Sequence, residues 1–182
     1  GNMASAIIGG LIRQGLPAAQ IQVVEPFEAA RAHLLAQHGI DALPDAGQAL
    51  AGSGLIVWAV KPQSFRAAAA PVAPHVGSAL QLSVMAGIRA SDIAIASGAT
   101  RIVRCMPNTP ALVGRGMTGL HASADVTDAD RALAEAVVAT TGDFLWVERE
   151  QQLDAVTALS GSGPAYVFYF LEDMKQAGTE LG

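Results

Sequence analysis

The sequence predicts an α/β fold in which a doubly wound, mostly parallel sheet is followed by the start of an all-helical region. Short apolar runs alternate with amphipathic helical patterns along most of the chain, which is typical of βαβ units. The run at residues 55–60 is apolar throughout, as in a strand that is covered on both faces. The last helical pattern is apolar around most of its circumference, which indicates a second region beyond the sheet.

Composition limits the class of protein and of partner. The chain has 182 residues, of which 51% are hydrophobic and 15% charged, enough for one substantial domain or for one domain and part of another. A net charge of −5 argues against a nucleic-acid partner, and the absence of basic runs or of long apolar runs argues against a membrane. Cys105 is the single cysteine, which rules out an internal disulfide and fits a reducing compartment, so we expect a cytoplasmic protein. The four histidines lack ligand spacing, and we expect no metal.

The opening stretch predicts a helix. Apolar residues recur with helical spacing from Ala4 to Ile12, Asn2 is the predicted N-cap, and Gly15 is the predicted left-handed residue after the helix. Gly1 and Ala4 have the spacing of the last two positions of G-x-G-x-x-G/A, which lays a pyrophosphate on a helix N-terminus. The alternative is an ordinary capped helix that packs on a sheet.

Residues 21–25 predict a buried strand that ends on Glu25. In a dinucleotide-binding fold, an acidic residue near this position accepts hydrogen bonds from the ribose 2′-OH, which would favour NAD over NADP. Arg31 could still reach a 2′-phosphate. The equally weighted alternative is that Glu25 and Glu28 are acidic residues of a helix start.

The other elements are predicted from the same signals. Strands are predicted at residues 55–60, 80–84, 101–106, 117–121 and 144–147. Helices are predicted from Pro26 to Gly39, over 46–51 with Asp45 as cap, over 65–70, over 91–97, and over 127–141 with Thr127, Asp130 and Gly142 as capping residues. Ligands of such sheets lie beyond the carboxyl ends of the strands. Residues 59–63, 86–87 and 106–110 all follow strands, so we expect them to converge there.

A long helical stretch begins at Glu150 and is interrupted at residues 160–164, Ser-Gly-Ser-Gly-Pro. The next helix, from Pro164 to about Ala177, is apolar on almost every side, and we expect a helical domain or a partner subunit to enclose it. The alternative is a final helix that folds back on the sheet. The predicted domains are therefore a sheet domain at 1–149 and the start of a helical domain at 150–182.

Four segments together resemble the pyrroline-5-carboxylate reductase family. They are Gly1-Asn2-Met3-Ala4, Ala59-Val60-Lys61-Pro62-Gln63, Arg104-Cys105-Met106-Pro107-Asn108-Thr109-Pro110 and Ser160-Gly161-Ser162-Gly163-Pro164-Ala165-Tyr166. The resemblance implies reduction of 1-pyrroline-5-carboxylate to L-proline with NADPH or NADH, the last step of proline biosynthesis. It also implies a Rossmann domain and an all-helical dimerisation domain that interlocks two subunits of a homodimer or larger homo-oligomer.

The resemblance also implies site residues. The residues that it implies for cofactor binding are Gly1, Asn2, Met3, Glu25, Ala59, Val60, Lys61, Pro62, Met106 and Asn108. The residues that it implies for substrate binding are Pro107, Asn108, Ser160, Gly161, Ser162, Gly163 and Pro164. No catalytic residue is assigned, because hydride transfer to a protonated cyclic imine requires orientation of the reactants more than a strong acid. Lys61 is the one candidate for a catalytic side chain, but we favour the interpretation that its side chain is solvated.

The sequence departs from the family pattern in three ways. It lacks the first strand with its glycine, it lacks the C-terminal Ser/Thr-rich loop that holds the substrate, and Glu25-Pro26 replaces a polar, often Arg-containing stretch. Two rival functions stay open. One is a β-hydroxyacid dehydrogenase of similar plan, which would place a lysine early in the helix where this chain has only Lys175. The other is a non-catalytic Rossmann module that senses nucleotides.

Overall fold

The computed structural model describes residues 1–182 as a five-stranded sheet with helices on both faces. The strands are β1 (Leu55–Trp58), β2 (Leu80–Ser83), β3 (Ile102–Met106), β4 (Gly116–Ala122) and β5 (Gly142–Trp146). The helices are α1 (Asn2–Arg13), α2 (Glu28–His38), α3 (Phe65–Val72), α4 (Ala90–Ser97), α5 (Asp128–Val138), α6 (Gln152–Val156) and α7 (Gly163–Leu181).

The sheet follows chain order, β1-β2-β3-β4-β5. Every pairing is parallel except that of β3 with β4, so the mostly parallel sheet that we predicted is confirmed. The connection from β3 to β4 contains only the 106–110 turn and a short 3₁₀ turn at Thr109–Val113. A parallel crossover needs a dozen or more residues, so this short connection reverses the chain direction.

Helices cover both faces of the sheet, as the continuous apolar run at residues 55–60 predicted. Helices α3 and α4 cover one face, where Phe65, Ala69 and Ile93 pack with Trp58 and Ile102 of the strands. Helices α1 and α5 cover the other face, where Ile7 and Val137 pack on strand residues that include Leu80, Leu82, Val103, Cys105 and Leu120. The doubly wound α/β fold is confirmed.

Residues 21–25 do not form the predicted strand. Only an isolated parallel bridge joins Val24 to Leu43, with Leu43 N–H donating to Val23 O at 2.8 Å. A strand needs a continuous partner, and this segment has none beyond that bridge. Its apolar residues instead join a separate small core between α1 and α2, where Ile21 and Val23 pack against Ile8 and Leu34.

Several predicted helix ends are corrected. Gly1, not Asn2, is the N-cap of α1. Helix α2 begins at Glu28 rather than Pro26. The predicted helix at 46–51 is only a short 3₁₀ turn at Gln48–Leu50, which follows Gly47 and has no cap from Asp45. The predicted left-handed Gly15 is confirmed: its φ is +96°, and the N–H of Leu16 donates to Leu11 O, as in a Schellman motif.

Helix α5 has the predicted capping box of Thr127 and Asp130 but ends earlier than predicted. The hydroxyls of Thr140 and Thr141 donate to the carbonyls of Val137 and Val138, which satisfies helix-end acceptors without a left-handed residue. Gly142 therefore starts β5 instead of ending α5. Its φ is +140°, and a side chain there would collide with the backbone of Gly116.

The C-terminal part is helical, as predicted. Leu153 of α6 is buried, and Leu153 and Val156 pack close to Gly119 of β4. A π-helical turn at Thr157–Gly161 joins α6 to α7, whose aromatic side chains are exposed. None of the helices combines the length and apolar character that crossing a bilayer requires.

Candidate active site

The 106–110 turn continues directly from β3 at the carboxyl edge of the parallel strands. Asn108 fixes this turn, because its Oδ1 accepts a hydrogen bond from Met117 N–H at 3.0 Å. Pro110 is the second residue of the following 3₁₀ turn, where a missing N–H costs nothing. The turn is therefore tied to the first residues of β4.

The 160–164 joint lies against this turn. Asn108 Nδ2 donates to Ser160 Oγ at 3.0 Å, which links residues that are far apart in sequence. Gly161 approaches Met106 so closely that a Cβ would lie 3.2 Å from Met106 Cε. Two of the four segments that carried the family resemblance therefore meet in space.

The backbone of the joint is shaped by the π-helical turn. Ser162 N–H donates to Thr157 O at 2.8 Å, a bond across five residues, and Thr157 Oγ1 donates to Leu153 O at 2.8 Å. Such single π turns inside α-helices are frequent at functional sites. Here the turn brings Ser160 and Gly161 to the sheet before α7 begins at Gly163.

The first turn of α1 lies beside the same edge. Met3 lines a small cavity with Val84, which follows β2, and with Pro107 of the 106–110 turn. Ser5 is the first residue whose N–H bonds back to Gly1 O, so the N–H groups of Asn2, Met3 and Ala4 have no intrahelical acceptor. No acidic residue lies in this turn, so the residues present fit the pyrophosphate of a dinucleotide.

The 59–63 segment leaves β1 at the same edge, and the N–H of Val84 donates to Trp58 O at 3.1 Å. Lys61 is exposed and precedes a 3₁₀ turn at Pro62–Ser64. It takes part in neither of the two salt bridges of the structure. These features agree with a solvated lysine and give no support to a catalytic one.

Glu25 forms a local contact at the start of α2. Its Oε1 accepts a hydrogen bond from Phe27 N–H at 3.0 Å. Arg31 Nη1 donates to the carbonyl oxygens of Glu25 and Pro26, at 3.0 and 2.9 Å. The contact favours the helix-start interpretation without testing the ribose contact, which stays a prediction.

The sequence interpretation missed an ionic contact between Arg104 and Glu150. Arg104 Nη1 lies 2.8 Å from Glu150 Oε1, and Ala90 N–H at the start of α4 donates to the same oxygen at 2.7 Å. Burial alone would raise the pKa of Glu150, but the N–H of Ala90 and the Arg104 guanidinium more than offset this, so the pKa lies below its usual range. An arginine inside an otherwise apolar strand was the signal that an acidic partner lies nearby.

Cys105, the next residue of β3, faces the opposite side of the sheet and is buried. Burial raises the pKa of its thiol far above the usual range. The thiol is therefore neutral and has the character of a core residue.

Two family models match separate parts of the chain. Residues 150–182 match a family model described as pyrroline-5-carboxylate reductase dimerisation. Residues 1–87 match a family model described as NADP oxidoreductase, coenzyme F420-dependent. The second match agrees with a nucleotide-binding sheet domain.

Full-length relatives cover both parts. The chain is 42% identical to pyrroline-5-carboxylate reductase of Pseudomonas aeruginosa over 100% of its own length and 67% of the relative's. It is 41% identical to the Haemophilus influenzae enzyme of the same name, over 97% of this chain and 66% of the relative. The chain thus spans about two thirds of the length of these relatives.

Solved structures agree with the fold. A pyrroline-5-carboxylate reductase structure from Coxiella burnetii superposes with a TM-score of 0.91 at 34% identity, over 100% of this chain and 68% of that one. The Plasmodium falciparum enzyme, solved with NADP bound, superposes with a TM-score of 0.85 at 26% identity, over 100% of this chain and 67% of that one. By fold, by the adjoining motifs and by identity to these relatives, the chain belongs to the pyrroline-5-carboxylate reductase family of NAD(P)H-dependent oxidoreductases.

Proposed function

We propose that the protein containing this chain reduces 1-pyrroline-5-carboxylate to L-proline with NADPH or NADH, the last step of proline biosynthesis. The observation that carries the proposal is the Asn108–Ser160 hydrogen bond of 3.0 Å. It joins a turn at the carboxyl edge of the sheet to the joint that leads into the region matched as a dimerisation domain. Family membership supplies the reaction.

The cofactor set of this proposal would line the carboxyl edge of the sheet and the start of α2. The first turn of α1, with Gly1, Asn2 and Met3, would hold the pyrophosphate through its N–H groups. Ala59, Val60, Lys61 and Pro62 would lie along the nicotinamide half, next to Met106 and Asn108. Glu25 would meet the adenosine ribose.

The substrate set is the second half of the proposal. Pro107, Asn108 and residues Ser160 to Pro164 would form the side of the pocket that the imine occupies. When bound, NAD(P)H supplies a hydride to the imine carbon of the protonated substrate, and the C=N bond becomes the C–N bond of proline. The task of these residues is to orient the ring and to exclude water, which can contribute several kcal/mol to catalysis. No side chain of this chain is proposed as a proton donor.

We also propose a division at residues 149 and 150, with a Rossmann domain at 1–149 and a helical dimerisation domain that starts at 150. The exposed aromatic face of α7 supports pairing of subunits through the C-terminal helices as a homodimer or larger homo-oligomer. The family model matched at 150–182 supports the same assignment.

The first prediction tests the reaction. The purified full-length protein should consume NADPH or NADH when 1-pyrroline-5-carboxylate is added, followed as loss of the nicotinamide absorbance, and L-proline should accumulate in equal amount. β-Hydroxyacids with NAD or NADP should give no signal. A folded enzyme that does not oxidise NADPH or NADH in the presence of the imine would refute the proposal. Activity on a β-hydroxyacid would favour the alternative function, a β-hydroxyacid dehydrogenase.

A further inference from the structure

Thr118 carries an unexplained hydroxyl. It lies in β4 opposite Phe144 of β5, it is 1% exposed, and Thr118 Oγ1 is the one buried side-chain oxygen or nitrogen with no hydrogen-bond partner in the protein. Burying a hydroxyl without a partner destabilises a fold, and native structures retain few such groups. Other buried hydroxyls follow this rule: those of Ser97, Thr140 and Thr141 donate to backbone carbonyls.

The position of Thr118 links it to the cofactor side of the site. Thr118 lines a cavity beneath the first turn of α1, together with Met3, Val84 and Pro107. Val84 and Pro107 follow β2 and β3, so this end of the cavity lies at the carboxyl edge where dinucleotides bind. The cavity measures about 10 Å³, which is room for about one water molecule.

The other polar groups that line the cavity are poor hydrogen-bond partners for the Thr118 hydroxyl. Thr141 also lines it, but the Thr141 hydroxyl donates to Val138 O at 2.8 Å. Cys105 offers a neutral thiol, a weak donor and a weak acceptor. Packing does not require a hydroxyl here either, because valine has the same shape and an equal preference for strands.

We propose that Thr118 is a cofactor-linked positioning residue, whose hydroxyl hydrogen-bonds through one water molecule in this cavity to the bound nicotinamide dinucleotide. The inference rests on the cofactor site of the proposed function. It explains a hydroxyl that weakens the free protein, because the hydroxyl gains its partner when the cofactor binds. Departures from polar satisfaction are expected at functional sites for this reason.

The second prediction separates this role from a structural one by the sign of two measurements. Thr118→Val should raise the thermal midpoint of the cofactor-free, full-length protein by about 2–4 °C, because it removes an unpaired buried hydroxyl. The same variant should bind NADPH and NADH roughly three- to tenfold more weakly in calorimetry without substrate. Thr118→Ser, which keeps the hydroxyl, should restore the affinity.

Thr141→Val is the matched control, since it makes the same change in the same cavity at a hydroxyl that is already bonded. It should lower the thermal midpoint and leave cofactor affinity unchanged. Unchanged affinity in Thr118→Val would overturn the proposal, and so would a lowered midpoint or failure to fold, because the hydroxyl would then be satisfied in the free protein. A wild-type protein that binds NADPH but does not reduce the imine would refute the proposed function and leave this inference standing.

Discussion

Asn108 uses both ends of its side-chain amide. The oxygen accepts from Met117 N–H and the nitrogen donates to Ser160, each at 3.0 Å. One side chain thus fixes the shape of the 106–110 turn and its distance from the 160–164 joint. At this scale, a single residue connects the two segments that the proposed function assigns to the substrate.

The third prediction tests that link. Asn108→Ala and Ser160→Ala should each lower kcat/KM for 1-pyrroline-5-carboxylate on the order of tenfold, since small misplacements of positioning residues are costly. The double variant should be about as active as Asn108→Ala alone, because both substitutions remove the same bond. Steady-state kinetics measure this, with Ser91→Ala, an exposed serine of α4, as the control. Fully additive losses would contradict the link.

The sequence could predict part of this residue-scale arrangement. Prolines on either side of Asn108 and Thr109 indicated a stiff turn after a strand, and the structure has that turn. The partner of Asn108 could not be predicted from the residues alone, because Ser160 reaches it only through the π-helical turn, and no periodic pattern reports such a turn. Thr118 was missed for a related reason. Threonine is common in strands, and only the packing shows that its hydroxyl is buried without a hydrogen-bond partner.

At the scale of elements, Glu150 holds three of them together. Its carboxylate contacts Arg104 of β3 and the first N–H of α4, just before α6 begins. The Arg104 side chain is 8% exposed, so its charge depends on this partner. The pair fixes where the C-terminal helices leave the sheet.

The fourth prediction concerns Glu150→Gln. The pKa of Glu150 is lowered in the folded protein, so its ionised form contributes stability that is present above the unfolded-state pKa and is lost as pH falls through the folded-state pKa. The variant should be less stable at neutral pH and should lose less stability on acidification than the wild type. Glu150→Ala should cost about 3–5 kcal/mol, since it leaves Arg104 buried and unpaired.

Thermal unfolding at a series of pH values measures the effect. Glu148→Gln is the control, because Glu148 is exposed and belongs to neither salt bridge. Its pH profile should match the wild type. Parallel profiles for Glu150→Gln and the wild type would show that the carboxylate charge is not what stabilises this contact.

Sequence patterns predicted three strands of the sheet well. The predicted strands at 55–60, 80–84 and 101–106 became β1, β2 and β3, which lie between helices on both faces of the sheet. Residues 21–25 have the same character but no continuous partner, so they form only one bridge. Strand formation depends on a neighbour that local sequence does not report. The end of α5 was misplaced because Thr140 and Thr141 replace the expected glycine cap.

At the scale of the whole molecule, the sheet region buries its apolar residues and α7 does not. Tyr166, Phe168, Tyr169, Phe170 and Met174 are each more than half exposed. Burying even four such side chains contributes roughly 6–12 kcal/mol at 1.5–3 each, comparable with the stability of a domain. The sequence predicted this imbalance directly, because an apolar helix on every side needs cover on every side.

The fifth prediction follows from this imbalance. Because the family match at 150–182 is a dimerisation region, we expect the full-length protein to be an obligate dimer or larger, with α7 buried between helices of the assembly. Phe168→Asp and Phe170→Asp each place a charge on the apolar face, and at least one of them should dissociate or unfold the assembly. Asp125→Ala, at an exposed acidic position outside α7, should leave it intact.

Sedimentation at micromolar concentration measures this, together with activity in the same samples. If α7 is covered by another subunit, loss of the assembly should also lower activity, because α7 continues directly from the joint whose Ser160 is bonded to Asn108. A stable, active monomer would disprove the obligate assembly. An Asp variant that dissociates yet keeps full activity would show that each site is complete within one subunit.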